Sequence, residues 1–504
     1  MKKLNLLIIA VLSMSVTFAQ DITDALRYSQ NEIQGTARFR ALSGAFGALG
    51  GDLSAISLNP AGSAVFARSH AAFSLSNMYT KNDVQYFNGS VSASENKFDF
   101  NQGGAVFVFA SKGSNSPWKK FTVSINYDKI RDFNNFWVAR GINTNNNSID
   151  LYFLGYADGL RLDEISALPG ESLSEAYSEI GSFYGFGHQQ AFLGYESFIL
   201  EPDADVDANT TYFSNLANGT FDQEYIYASR GYNGKINFNA ATQYKDNLFL
   251  GLNLNSHFIN YDRSTLLFED NSNLGSIINN IEFENTLSTF GSGFSFQLGG
   301  IVKLNKSFRL GLTYDSPTWL TIREETTQYL RTVSDIDGSV AINPNIVNVY
   351  PSYKLQTPGK LGGSLAYVFG SKGLFSFDYS LKDYGSTKFK PTSDSYLSSQ
   401  NNIINNQLTT ASTYRIGAEY KIKEFSLRGG YRHEESPYKN GVTVGDLNGY
   451  SFGIGINFGK TKLDITYDQA KRTSEQQLYS VGLTDAALID TRNSNVTFSL
   501  GFNL

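Results

Sequence analysis

Apolar and polar residues alternate along most of the chain, which is the period of a β-strand whose two faces meet different surroundings. In the last such segment the apolar face carries Val496, Phe498, Leu500, Phe502 and Leu504, and the opposite face carries Asn, Thr, Ser and Gly. The fold class is therefore all-β. The alternation predicts about fourteen strands, near 70–82, 97–111, 118–139, 226–243, 246–263, 287–304, 307–325, 352–369, 372–389, 411–423, 424–434, 448–459, 460–472 and 493–504.

The connections between these strands alternate in length. Short polar turns such as 244–247, 304–307 and 370–373 follow even-numbered strands, whereas longer connections follow odd-numbered ones, and 140–225 is the longest. Short periplasmic turns and long extracellular loops are typical of outer-membrane barrels. Hydrocarbon offers no partner to backbone polar groups, so a sheet that crosses it must close. We therefore predict a transmembrane antiparallel β-barrel whose Gly, Ser and Asn face lines the lumen.

The first nineteen residues have the layout of a secretory signal peptide. Two lysines precede a mostly apolar stretch over 4–16, and Ala19 ends the segment before Gln20. This stretch is too short for a helix that spans a membrane, and no Cys follows it that could carry a lipid anchor. We predict a signal peptide over 1–19 and a place in the bacterial outer membrane.

Residues 20–69 do not alternate, and we predict that they form an N-terminal hatch inside a barrel built from 70–504. Thr23 is expected to cap a helix over 24–31. Many residues over 35–51 are Gly or Ala, and such small residues allow the backbone to pack closely against a surrounding wall. A barrel of this size encloses more space than side chains can fill, so a plug is needed to close it.

Composition removes several other classes of protein. The 504 residues include 41 Lys and Arg against 47 Asp and Glu, and this net charge of −6 argues against a nucleic-acid partner. The absence of Cys excludes disulfides and thiolate metal sites. Four scattered His give no ligand spacing, so we expect no metal and no cofactor. No Gly-x-Ser-x-Gly element is present, and the glycines over 44–51 have no βαβ unit around them, so we expect no enzyme.

One group of residues after the signal peptide resembles the hatch motif of a known family: Arg40, Ser43, Gly44, Asp52, Asn59, Pro60, Ala61 and Gly62. The Asn-Pro-Ala run is its most specific part. The family is that of the outer-membrane long-chain fatty acid and hydrocarbon transporters (FadL-like, OmpP1/FadL/TodX-type). A second run resembles the same family less specifically, Thr357-Pro358-x-Lys360-x-Gly362.

The resemblance implies passive uptake of hydrophobic compounds by a monomeric barrel that sits in outer-membrane lipid. A hydrophobic small molecule would be captured outside, pass to a pocket in the lumen, and leave sideways into the membrane. The extreme N-terminus contributes to the pocket in that family. We therefore assign the pocket, with packing as the alternative role of its later members, to Gln20, Asp21, Ile22, Phe46, Leu49, Leu53, Ile56 and Phe66.

The longest connection offers a capture groove, or alternatively a lid that packs on itself. It contains a helical pattern over 168–181 and then a run of aromatic residues: Phe183, Tyr184, Phe186, Phe192 and Phe198. The lateral exit of the family lies at a kink in the third strand. The strand predicted over 118–139 has no internal Gly or Pro, so a kink would require a bulge, near Asn134 and Asn135.

Charged residues fall on the predicted inward faces, where they could hold a carboxylate headgroup or contact the hatch: Arg309, Arg415, Arg428, Arg432, Glu419 and Asp464. Other functions remain open on the sequence. An outer-membrane receptor, for example for haem, is one alternative to transport. A structural or secretion-partner barrel is another. A solvent-filled porin is disfavoured by the predicted hatch.

Overall fold

The computed structural model describes residues 21–111, 116–336 and 338–504. The predicted signal peptide over 1–19 and Gln20 lie outside these residues. Within them, fourteen antiparallel strands form the barrel, four of them in two segments. Their bounds are His70–Tyr86 (β1), Gly89–Ala110 (β2), Trp118–Asp132 and Asn135–Asn143 (β3), Phe221–Tyr244 (β4), Leu248–Asp270 (β5), Ile278–Lys303 (β6), Phe308–Asp315 and Trp319–Ser334 (β7), Tyr353–Gln356 and Lys360–Val368 (β8), Gly373–Asp383 and Lys388–Lys390 (β9), Thr410–Ile422 (β10), Phe425–Glu434 (β11), Val444–Asn457 (β12), Thr461–Gln477 (β13) and Ala486–Asn503 (β14).

The last strand closes the barrel by pairing with the first, from His70 opposite Asn503 to Gln85 opposite Leu488. Over the described residues this confirms the predicted closed barrel. Most strands extend further on the extracellular side than predicted, and β1 and β2 meet at a tight turn over 87–88. A crossing needs only about 9–11 residues, so the long strands project beyond the membrane on that side.

The two faces of the wall differ as the alternation predicts. On β12, for example, the outward Phe452 is 60% exposed, whereas the inward Ser451 beside it is 1% exposed. Trp118 and Trp319 are likewise exposed on the outer surface, where aromatic side chains mark the levels of the lipid headgroups. The apolar residues of the chain are therefore divided between the lipid-facing surface and separate internal clusters.

Short helices and minor strands complete the described chain. The helices are Ile22–Ser29 (α1), Ala37–Ala41 (α2), Leu53–Leu58 (α3), Asp150–Ala157 (α4), Leu173–Phe183 (α5), Phe186–Glu196 (α6) and Ser395–Gln407 (α7), with 3-10 turns at Pro60–Val65, Leu162–Glu164 and Tyr384–Ser386. The minor strands are Leu200–Pro202, Tyr212–Ser214, Gly338–Ile342 and Asn348–Val349. Across the described ranges, no helix has both the length and the apolar character needed to span a bilayer.

Three helical predictions need correction. The cap of α1 is Asp21 and not Thr23, because the Asp21 carboxylate accepts hydrogen bonds from the first turn, and the helix ends at Ser29. The helix predicted over 168–181 begins later, at Leu173, where Ser172 and a glutamate form a capping box. The neighbouring helices α4 and α6 were not predicted, because both are apolar on several sides and lack a clear periodic pattern.

Helices α4 to α6 form a cap over the extracellular end of the barrel. Phe153 of α4 and Phe192 of α6 are fully buried and share an apolar cluster with Phe283 of β6. A second cluster lies below the cap, where Leu397 and Ile404 of α7 join residues of α1. Because cap and strand extensions share one core, the extracellular end is built as a packed layer.

Candidate functional site

The N-terminal segment, residues 21–69, lies inside the barrel and is bound to the wall through Asn59 and Pro60. The Asn59 side-chain amide donates a 3.2 Å hydrogen bond to the carbonyl oxygen of Gly300 on β6. The Pro60 carbonyl oxygen accepts a 2.9 Å hydrogen bond from the side chain of Asn239 on β4. The two most specific motif residues therefore hold the segment against β4 and β6.

Glycines on the inner face of the wall make room for this segment. Among the described residues, an added Cβ would lie 2.1 to 2.7 Å from the segment at each of Gly251, Gly299, Gly311, Gly417, Gly430 and Gly453. Real Cβ atoms do not approach so closely. Each of these glycines lies within about six residues of a periplasmic turn, so the segment fills the periplasmic half of the lumen.

Two arginines bind α2 to the opposite side of the wall. Arg40 donates from Nε and Nη2 to the Asp468 carboxylate at 2.7 and 2.9 Å. Arg38 Nε donates to Glu419 at 2.8 Å, and Arg428 Nε donates to the same carboxylate at 2.6 Å. Fork-shaped pairs of this kind fix orientation as well as supplying charge. The inward Glu419 and Arg428 thus anchor the segment, as the hatch-contact alternative predicts.

The remaining motif residues shape the segment itself. The Ser43 hydroxyl hydrogen-bonds a serine hydroxyl of β12 at 2.8 Å, and Gly44 has a φ of +76°, a conformation that favours glycine. Asp52 caps α3. Ala61 and Gly62 are buried in the 3-10 turn that follows the helix. The predicted motif is therefore brought together as one structural unit.

The structure places the predicted pocket residues in packing positions. Asp21 caps α1, and Ile22 packs against the cluster that includes α7. The other five described residues are buried within the N-terminal segment and against the wall: Phe46, Leu49, Leu53, Ile56 and Phe66. Over the described part of the chain, none of these seven lines the lumen cavity described next.

A cavity of about 340 Å³ lies above the N-terminal segment, in the extracellular half of the lumen. Ile33, Gln34 and Arg40 form its floor. In the described chain its lining has four acidic and eight basic side chains, and four of the basic ones pair with carboxylates just outside the lining: Arg27 with Asp24, Arg40 with Asp468, Lys97 with Asp99 and Lys471 with Asp490. The basic residues are Arg27, Arg40, Lys97, Arg131, Arg263, Arg432, Lys471 and Arg472. Apolar side chains share the lining: Leu26, Ile33, Met78, Phe133, Trp137, Val444, Leu447 and Ile489.

Most of these arginines already have acidic partners. Arg131 lies 3.8 Å from Glu32, and Arg432 lies 3.5 Å from Glu434. Arg263 differs, since among the described residues it has neither an ion pair nor a hydrogen bond. It is thus the lining cation whose charge is available to a ligand.

The backbone ladder of the wall beside this cavity has a gap, which we call the window. β2 pairs with β3 only from Gln102 to Ala110, and over the described residues its upper part, 89–101, forms no ladder with β3. Among the strands that the structure describes, the upper segment of β3 pairs with β4 alone. Close contact between Gly89 and Gly141 bounds the window at the top, so two unpaired strand edges face each other below it.

The window exists because β3 bends into the lumen. The strand is interrupted at Phe133 and Asn134, next to the position where the sequence allowed a kink. Above the bend, Asn82 of β1 donates 2.8 Å hydrogen bonds to the side chain of Asn135 and the carbonyl oxygen of Phe136. In a flat wall β2 would lie between β1 and β3 and keep them about 10 Å apart. The hydrogen bonds from β1 to β3 therefore show that β3 has moved behind β2.

Side chains bridge the window where the backbone does not. Lys129 of β3 bonds Asp99 of β2 and lies 2.9 Å from Asp132. Lys97 of β2 lies 3.3 Å from Asp99 and 3.6 Å from Asp132. We call these four residues the window cluster. Because Lys97 and Asp132 also line the cavity, the cluster stands between the cavity and the membrane.

The predicted capture residues are not one surface. Phe192 is fully buried in the cap, and Phe186 is half-buried beside α4. Phe183, Tyr184 and Phe198 are exposed. Tyr184 stacks on the ring of His188 with the centroids 4.8 Å apart. The lid alternative therefore accounts for Phe192, while the exposed residues remain available as a capture surface.

The fold and the site can now be compared with known proteins. The model of a family described as outer membrane protein transport protein (OMPP1/FadL/TodX) matches residues 218–503, more than half of the chain. The chain belongs to this family. It is accordingly a transport protein of the bacterial outer membrane. No curated protein matches the chain significantly.

Solved structures of family members have the same fold. A FadL homologue of Pseudomonas aeruginosa is 10% identical with a TM-score of 0.55, over 94% of this chain and 99% of that chain. The toluene transporter TodX of P. putida is 13% identical with a TM-score of 0.51, over 94% of this chain and 99% of that chain. Identities this low show the shared fold alone. The roles of the cavity and window in this transporter must therefore be argued from its own residues.

Proposed function

We propose that this transporter mediates passive uptake of hydrophobic compounds that carry an acidic headgroup, of the long-chain fatty acid type. The observation that carries the proposal is a partly apolar cavity rich in arginine and lysine, one of them without an ion pair among the described residues, that lies beside a window in the wall. A plain hydrocarbon would gain nothing from eight basic lining residues. An amphiphile can use both parts of the lining, because a carboxylate pairs with arginine and a chain prefers apolar surface.

The domains act as follows in this proposal. The segment over 1–19 is removed on export, the hatch over 20–69 blocks passage to the periplasm, and the barrel over 70–504 carries the route. The bonds of Asn59 and Arg40 to the wall support a hatch that stays in place during transport. A ligand in the cavity then leaves through the window into the membrane. This exit needs no energy source or cofactor, because transfer of an apolar chain into lipid is downhill.

Arg263 is the proposed headgroup anchor. It lines the cavity and lacks an ion pair among the described residues, whereas Arg40 is committed to Asp468. Hydrogen bonds to charged groups contribute roughly 1.5–3 kcal/mol. A bound carboxylate would therefore be held at Arg263 while the chain lies along the apolar lining toward the window.

Crosslinking across the window tests the route. The chain has no Cys, so Asp99→Cys with Lys129→Cys gives one defined pair on its two edges. A short bis-maleimide link should abolish uptake of a fluorescent fatty acid by cells that depend on this transporter. The matched control is Ala105→Cys with Ile125→Cys, a pair already in register in the intact β2–β3 ladder. Unchanged uptake after complete linking of the window pair would refute exit by this route.

A further inference from the structure

Three neighbouring strands of the wall are interrupted at one level, and β4, β5 and β6 separate them from the window. β7 breaks at 316–318, β8 at 357–359 and β9 after Asp383. Pro317 and Pro358 lie in the first two breaks, and neither has an N–H to give to a ladder. Across these breaks, the main-chain amide of Thr357 bonds the Thr318 carbonyl oxygen at 3.0 Å. We call this region the wall break.

A small polar cavity of about 80 Å³ lies on the lumen side of the wall break. Lys360 and Lys382 line it from directly opposite positions on β8 and β9, an arrangement of like charges that destabilises a sheet. Asp315 pairs with Lys360 at 2.7 Å, and Lys382 bonds the carbonyl oxygen of Ser29.

Lys235 of β4 also lines this cavity and is 8% exposed. Among the described residues it has no ion pair or hydrogen bond. Three lysines and two carboxylates therefore surround this nearly buried space, since Asp315 pairs with Lys360 and the buried Asp128 is directly opposite Lys235 in the β3–β4 ladder. An excess of buried positive charge is costly, and an anion between these lysines would offset both that cost and the Lys360–Lys382 repulsion.

The lipid side of the same strands carries an apolar groove of about 720 Å³. Leu312 of β7 is directly opposite Gly300 of β6 on one side and Gly363 of β8 on the other, so all three lie on the outer face of the wall. Leu312 is 72% exposed. The groove and the polar cavity lie at the same level on opposite sides of the wall, since Leu361 lines the groove and the adjacent Lys360 lines the cavity.

We propose that a membrane lipid with a phosphate headgroup binds at this place. One acyl chain lies in the groove beside Leu312, and the phosphate enters the wall break within reach of Lys235, Lys360 and Lys382. The level of the break supports a lipid as the occupant. Trp319 follows the break directly and is 43% exposed to the outside, and exposed Trp marks the headgroup level of a membrane. This lipid site is separate from the uptake route through the window.

Binding to the purified full-length protein in detergent tests the proposal with three probes. They are phosphatidylglycerol, diacylglycerol, which lacks the phosphate, and inorganic phosphate, which lacks the chains. Native mass spectrometry should show phosphatidylglycerol bound at least tenfold more tightly than either of the others. Lys235→Met should weaken phosphatidylglycerol binding about fivefold, since one basic residue near a membrane surface contributes roughly that factor.

A second variant addresses the groove. Gly363→Leu should weaken phosphatidylglycerol and diacylglycerol alike, because the space beyond Gly363 is open and a leucine would fill it. The matched controls are Gly429→Leu, on the outer face of β11 away from the groove, and Lys303→Met, a half-buried lysine near the periplasmic end. Both should bind like the wild type. Heat-dependent gel migration confirms that each variant has formed its barrel.

Two outcomes would overturn the proposal. Inorganic phosphate bound as tightly as phosphatidylglycerol would mean an ion site and no lipid site. Phosphatidylglycerol binding that is equal in the wild type, Lys235→Met and Gly363→Leu would place the lipid elsewhere on the barrel. Neither outcome bears on the window, so this proposal can fail while the uptake route stands.

Discussion

The window cluster should control how often the window opens, and Lys129→Met is the change that tests this. The Lys129 side chain is 1% exposed and bonds both Asp99 and Asp132. Replacing it with Met keeps the length and removes the charge. Two carboxylates then share the single ammonium of Lys97, so the closed arrangement loses much of its stability while the open, hydrated one does not.

The structure sets the size of the effect. Removing one partner of a fully buried ion pair costs about 3–5 kcal/mol, whereas exposed pairs contribute about 0–1 kcal/mol. Asp132 is 10% exposed and Asp99 is 28% exposed, so this cluster lies between these limits, at about 2 kcal/mol. A difference of 2 kcal/mol corresponds to roughly a thirtyfold change in an equilibrium. Lys129→Met should therefore raise the open fraction about thirtyfold.

Labelling of a single cysteine measures the open fraction directly. Asn134→Cys places a unique thiol at the bend of β3, where Asn134 lines the cavity. A lipid-soluble maleimide should modify this thiol about thirtyfold faster when Lys129→Met is also present. Uptake of fatty acid should rise as well, until another step becomes limiting.

A cross-strand ion pair in an intact ladder provides the control. Arg331 of β7 lies 3.0 Å from Glu282 of β6, and these residues are opposite each other in a continuous ladder. Arg331→Met should leave the labelling rate unchanged. If Lys129→Met also left the rate unchanged in a correctly folded barrel, the cluster would not hold the window closed, and the reasoning above would be wrong.

Three further predictions follow from the lumen and the cap. Arg263→Leu should weaken fatty acid binding about tenfold and leave a neutral hydrocarbon unaffected, as titration with both ligands would show. Gly299→Ala should displace the hatch and raise bilayer conductance, because its Cβ would lie 2.1 Å from Asn59 Oδ1, whereas Gly300→Ala, which faces lipid with its nearest neighbour at 3.8 Å, should not. Glu269 lies at the extracellular end of β5, about twenty residues above the periplasmic turn and beyond the membrane, and burial raises the pKa of its carboxyl to about 7. The folded state therefore holds this proton more tightly than the unfolded state, so its stabilising effect is present below about pH 4.5 and is lost as the pH rises through 7. Proteolysis of the cap should accelerate over that range in the wild type and not in Glu269→Gln.

The strands of the wall and the attachment of the N-terminal segment to them can both be predicted from short-range features of the sequence. Alternation specifies which face of each strand meets lipid, as Phe452 and Ser451 show. The run Asn59-Pro60 gives one place where the segment stops being helical and bonds the wall. These features are local, so a single sequence reveals them. The sequence also shows that the inner face is rich in Gly, although only the contacts in the structure show which of these glycines the N-terminal segment requires.

The cavity was less accessible to sequence reasoning. Phe46, Leu49 and Leu53 were assigned to a pocket, with packing as the alternative, because they are apolar and near the hatch motif, and in the structure they are buried in packing. Apolar character alone does not distinguish a residue that packs from a residue that lines a space. The cavity is instead lined by charged residues from distant strands, such as Arg263 and Arg472. Their convergence depends on the order and stagger of the strands.

The sequence by itself determined the closed barrel, the position of its lipid-facing residues and the segment that fills its periplasmic half, because each depends on a period or a motif within a few residues. Only the tertiary structure decided where the wall is incomplete. No Gly or Pro lies close to the bend of β3 at Phe133 to indicate it in the sequence, and Lys129 meets Asp99 only after that bend has separated β3 from β2. An opening is a relation between two strand edges, and no property of either strand alone specifies it.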